Sequence, residues 1–158
     1  MTSIIWTTLT LLSLGVELDV PDGWFCKQVG EHAVMVYEDD QDPFTATFEI
    51  QLGEPEAAGR DWFRNFVDGV LPELKKVQGF EYVSSSQFQL ASNDKVPVYV
   101  IAGRRPEPGG SDVTTRMMAW AWVNSHRMYA INGASVTSDE ARNLAIFDHM
   151  LHSLRLLD

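Results

Sequence analysis

Apolar and polar positions alternate most cleanly at residues 44–52, where Phe44, Ala46, Phe48, Ile50 and Leu52 fall on one side and Thr45, Thr47, Glu49 and Gln51 on the other. A period of two predicts a strand with one buried and one wet face. Downstream the spacing changes to three and four. Trp62, Phe63, Phe66, Val67, Val70, Leu71 and Leu74 form a stripe, with Arg64, Asp68, Glu73 and Lys75 off it. This predicts an amphipathic helix from an Asp61 cap to about Val77. Pro72 is expected to bend or interrupt its last turns, and Gly79 to stop it. Near the C-terminus, Thr137 and Glu140 have capping-box spacing. The helix they open carries Leu144, Phe147, Met150, Leu151 and Leu154 inward.

The remaining segments read as strands. Residues 20–24, Val-Pro-Asp-Gly-Trp, close an early strand with a turn. Residues 32–38 run up to an acidic turn. Between the helices, residues 80–91, 96–105, 114–124 and 127–134 are separated by polar or Gly/Pro-rich connectors. No repeat or interdomain linker interrupts residues 1–158. The fold class is therefore a single α+β domain: a mainly antiparallel sheet meander with an inserted amphipathic helix and a C-terminal helix packed on it.

Composition changes this picture in one respect. The chain has 158 residues, 45% of them apolar, enough for a substantial core without metal or disulfide support. Its net charge of −10 argues against nucleic acid, which demands a basic face, and against anionic lipid. A neutral, basic or apolar partner is expected instead. Residues 3–15 are uncharged, but no Lys or Arg precedes Lys27 and the run is too short to span a bilayer. It reads as a strand, with no membrane insertion and a cytoplasmic location expected. Cys26 is alone, so no intrachain disulfide forms, and it is expected to be small and partly buried.

Catalytic chemistry finds no foothold. There is no phosphate loop, nucleophile elbow or His-Glu-x-x-His motif. His149 and His152 stand one turn apart beside Asp148, but no further ligand accompanies them, so no metal is expected. Residues 38–42, Glu-Asp-Asp-Gln-Asp, lack calcium-loop spacing and read as a solvated turn. Arg104 and Arg105 read as a charged strand end. No cofactor and no enzymatic activity are expected.

The most informative stretch is residues 114–124, Thr-Thr-Arg-Met-Met-Ala-Trp-Ala-Trp-Val-Asn. On a strand, Thr114, Arg116, Met118, Trp120 and Trp122 point one way. Val113, Thr115, Met117, Ala119, Ala121 and Val123 point the other. The second set is small and suits a closely packed helix, for which Trp62 and Phe66 are the expected fillers. Either the two helices cover opposite faces, and the tryptophans are core, or both lie on one face and the tryptophan face is open.

The element order, with Pro21, Gly23 and Trp24 in the early turn, the helix at 61–77 and Met-Leu-His-Ser-Leu-Arg-Leu-Leu at 150–157, resembles the Mog/PsbP-like fold. It resembles especially the bacterial DcrB and LpqN-type members of that fold, a group that includes the Eag chaperones of type VI secretion effectors. The resemblance carries no catalytic residues. It implies an adaptor, assembly or chaperone-like binding role, whereas the lipobox cysteine of exported relatives is missing. Together these readings predict a non-enzymatic module that holds a protein partner or a second copy on an apolar sheet face built from Met118, Trp120, Trp122, Tyr99 and Arg116. The alternative is a small-molecule pocket at the sheet edge, anchored by Arg104, Arg116 or Tyr99.

Overall fold

In the computed structural model, which describes residues 3–55, 60–91, 93–106 and 113–157, the strands form two antiparallel sheets. The smaller joins β1 (Trp6–Leu11), β2 (Val16–Pro21) and β10 (Arg155–Leu156) in the order β1-β2-β10. The larger contains β3 (Phe25–Gly30), β4 (Ala33–Tyr37), β5 (Thr47–Gly53), β6 (Glu81–Leu90), β7 (Asn93–Pro106), β8 (Val113–Asn124) and β9 (Arg127–Val136). Its order, β3-β4-β5-β9-β8-β7-β6, joins two meanders through the β5–β9 pair. Helix α1 (Arg60–Lys75) connects them, and α2 (Glu140–His152) follows β9. The α+β meander with an inserted and a terminal helix is the architecture the sequence predicts.

Both faces of the central strands are apolar, and both are used. Met117, Ala119 and Ala121 of β8, Phe48 and Ile50 of β5 and Ile131 of β9 belong to one core with Ile146, Phe147, Met150 and Leu151 of α2. Val16, Leu18 and Val20 of β2 complete it. The small sheet and α2 thus share one face of the large sheet. The hydroxyl of Tyr129 fastens the small sheet to the large one by donating to the Leu14 carbonyl at 2.5 Å, and Arg127 donates to Tyr129 and to the Gly15 carbonyl. Gly15 has φ +68°, and a side chain there would run into the Arg127 guanidinium. The other face belongs to α1, whose Phe63 and Val67 pack in a separate core with Tyr99, Ile101 and Trp122. The helices therefore lie on opposite faces.

Several local expectations change. Residues 3–15 form β1 and a tight turn into β2, a hairpin of the small sheet rather than one strand. Phe44 is not on the strand: Asp42 accepts hydrogen bonds from the backbones of Phe44 and Thr45, which holds a turn and leaves Phe44 63% exposed. Asp61 lies in the first turn of α1, which begins at Arg60, and the helix continues through Pro72 to Lys75. Gly79 does stop the segment, with φ +82°. Strand β3 was not expected at all. It is an exposed edge, with Lys27 at its centre and a bulge where the Gln28 side chain bonds the Gly30 and Glu31 carbonyls. Cys26 sits on it, exposed rather than partly buried.

The capping box does not form. Residues Thr137–Asp139 make a 3-10 turn, and Glu140 turns to the sheet. There the Arg104 guanidinium donates to it twice and Thr115 donates once, at 2.5 Å. A guanidinium fork outcompetes a single backbone N–H for a carboxylate. These contacts, Arg104 first, hold the Glu140 carboxyl at about 2 against an ordinary 4.5. A depressed folded value stabilises the protein above the ordinary value and is lost as pH falls through the folded one. Wild type should therefore lose stability between about pH 4.5 and 2, and Glu140→Gln should flatten that part of a urea-midpoint profile. An unchanged slope would remove this pair from the acid response.

Candidate binding face

Register settles which side chains share the α1 face. Trp120 stands opposite Tyr99 and Ala130, Met118 opposite Ile101 and Asn132, and Arg116 opposite Gly103 and Ala134. Helix α1 packs on the β7-β8 part of this face and reaches Met128 at the start of β9. Phe63 stacks toward Trp122, ring centroids 6.4 Å apart, and Phe66 meets Trp120 edge-on at 5.4 Å. Trp62 stacks on Phe66 at 5.4 Å, so these two rings fill the tryptophan side and not the alanine side expected from sequence. The reason is volume: on the other side α2 and the small sheet already close over Ala119 and Ala121.

Of the five residues expected to form a binding surface, Trp122 and Tyr99 are each 8% exposed and are core beneath α1. Burial, with Tyr82 and Asp68 nearby, also pushes the Tyr99 phenol above its ordinary value. Met118, Trp120 and Arg116 are half-buried along the margin of the helix. Arg104, an expected anchor of the alternative small-molecule pocket, points to the α2 face and pairs with Glu140 and Glu81.

Beyond that margin no described element covers the sheet. Asn132 of β9 is in line with Glu49 of β5, Met35 of β4 and Lys27 of β3; Ala134, Thr47, Tyr37 and Phe25 form the next row. None of the residues in the α1 core comes from β3, β4 or β5. Phe25 and Val29 are each 41% exposed, while Met35, Tyr37 and Ala130 are half-buried. Phe25 stacks on Tyr37 at 5.5 Å, and the Lys27 ammonium lies 5.3 Å from the Tyr37 ring. Sequence reading missed this surface. Its signal was residues 33–37, where Ala33, Met35 and Tyr37 are apolar as well as the buried Val34 and Val36.

The histidines are committed separately. His149 stacks on Trp6 with centroids 3.6 Å apart, and His152 stacks on Phe88 at 3.8 Å. Among the described residues no group of three metal-ligating side chains converges. Nor is any described helix long and apolar enough to cross a membrane.

No family model and no curated protein matches the chain. Solved structures do. LpqN, involved in cell envelope biogenesis of Mycobacterium tuberculosis, aligns with TM-score 0.66 at 15% identity, over 99% of this chain and 93% of its own. PA94, a Pseudomonas aeruginosa protein of unknown function, gives 0.63 at 14%, over 97% and 98%. The chain has the PsbP/LpqN-like fold. The cyanobacterial PsbP of Synechocystis sp. PCC 6803 agrees, at 0.58 and 12% over 98% and 94%. At these identities the likeness extends to the fold alone.

Proposed function

We propose that this PsbP/LpqN-like domain is a non-enzymatic binding module that holds a protein segment on the part of the sheet α1 leaves open. The observation that supports it is the stretch of β9-β5-β4-β3 that no described element covers, where an apolar cluster of Phe25, Met35 and Tyr37 on β3 and β4 lies across the polar Thr47, Glu49 and Gln51 of β5 from Ala130 on β9. Aromatic and methionine side chains give contact area and adaptability, and the polar row can satisfy backbone or side-chain groups of a guest. On the β9 side Ala130 adjoins Trp120, which with Met118 packs at the edge of the helix. Trp122 and Tyr99 act from below, as the floor that holds α1 in place.

The test is the pair Met35→Asp and Ala130→Asp, introduced together in the full chain. Both sites are only half-buried, so unfolding midpoints should stay within about 1 kcal/mol of wild type. Crosslinking in the native host, with light scattering for self-association, should show one partner or a dimer whose capture drops at least about tenfold in the variant. A partner retained by the double variant, or a wild-type chain that stays monomeric and captures nothing, would remove the reading.

A further inference from the structure

At the C-terminal end of α1 the helix parts from the sheet and leaves a cavity of about 130 Å³. Leu74 and Val77 close it from the helix side, Met118 from the sheet, and Phe80 forms a flat aromatic wall. Two glycines set that wall. Gly79, with φ +82°, turns the chain into Phe80, and at Gly103 any side chain would overlap the Phe80 ring. Among the described residues the polar groups of the lining are Arg105, Arg116 and Asn132, with no carboxylate among them. Arg105 makes no side-chain hydrogen bond or ion pair among the described residues. Arg116 has a partner within the chain, yet a guanidinium carries five donors and can serve a second acceptor.

We propose that this cavity is a ligand site for a carboxylate borne on a compact apolar body, a single ring or a chain of about six carbons. The size is that of an apolar cavity able to hold a benzene ring, on the order of 150 Å³. The charge argument is local. A chain with net charge −10 repels anions in general, so selection of a carboxylate rests on the two arginines that line this cavity. The same chemistry is offered by a free small acid and by the C-terminal apolar residue of a peptide. The site does not depend on any partner docking on the open sheet.

Calorimetry on the full chain with benzoate and hexanoate tests this, with benzamide and hexanol as neutral counterparts. The acids should bind in roughly the high-micromolar to low-millimolar range, about tenfold or more tighter than the neutral compounds. Arg105→Ala should weaken them about tenfold, Arg105→Lys less, and Val77→Trp should abolish binding by filling the cavity. Val77 is 49% exposed and Arg105 is exposed, so these variants should keep the wild-type unfolding midpoint, which is measured alongside. Gly-Gly-Phe and its C-terminal amide form the second arm. Tighter binding of the peptide acid than of benzoate assigns the site to a chain terminus, and the reverse assigns it to a free acid. Equal binding of acids and neutral analogues, binding indifferent to Val77→Trp and Arg105→Ala, or no saturation by any acid at about 10 mM would each overturn the proposal.

Discussion

Trp122→Ala should destabilise the domain by about 3–5 kcal/mol, lowering its thermal midpoint by roughly 10 °C or more. The indole is 8% exposed and packs with Phe63 of α1 and with Tyr99 and Ile101 of β7. Truncation removes its buried area and leaves a cavity that a rigid sheet cannot close. Trp120 lies two residues along the same face but is half-buried against Phe66, so Trp120→Ala should cost clearly less, about 1–2 kcal/mol. Urea denaturation of both variants checks the ranking. If Trp122→Ala lost less than about 1 kcal/mol, α1 would not be seated on this face in solution.

The second large effect lies on the opposite face. Phe147 of α2 sits over Gly133 of β9, where a Cβ would come within 2.7 Å of the ring and 3.1 Å of the Met117 Cε. Its ring also packs against Phe48, centroids 5.8 Å apart. Phe147→Ala should cost about 3–5 kcal/mol and Gly133→Ala about 1–3 kcal/mol, the first by a cavity and the second by overpacking. In the double variant the new methyl occupies part of the vacated space. The two changes should therefore couple by about 1 kcal/mol or more, with the double less damaging than the sum. Strict additivity in a double-mutant cycle would show that the ring and the glycine are not in contact.

Legibility varied with how local the controlling physics is. The stripe from Trp62 to Leu74 and the alternation from Phe48 to Gln51 were readable because helix and strand periods are properties of the chain itself. Glu140 was misread because its choice lay between a nearby backbone N–H and Arg104, which is distant in sequence and visible only once β7 lies beside α2. The apolar band of Phe25, Met35 and Tyr37 escaped notice for a related reason. A strand apolar on both sides normally implies two covering layers, and nothing in its sequence says that α1 stops short of it. The carboxylate pocket follows the same logic. Arg105 and Arg116 come from adjacent strands, whereas Leu74 and Phe80 flank the turn after α1, and only the fold closes them into one cavity.

By itself the sequence determined the α+β class, the order and approximate extents of most elements, and the division of β8 into a tryptophan side and an alanine side. What it left to the tertiary structure was which helix takes which side. Side-chain alternation fixes two faces but carries no information about what packs on each. The small sheet and α2 together fill the alanine side, leaving α1 only the tryptophan side, and a 16-residue helix is too narrow to roof seven strands. That shortfall in width buries Trp122 and Tyr99 and leaves Phe25, Met35 and Tyr37 open.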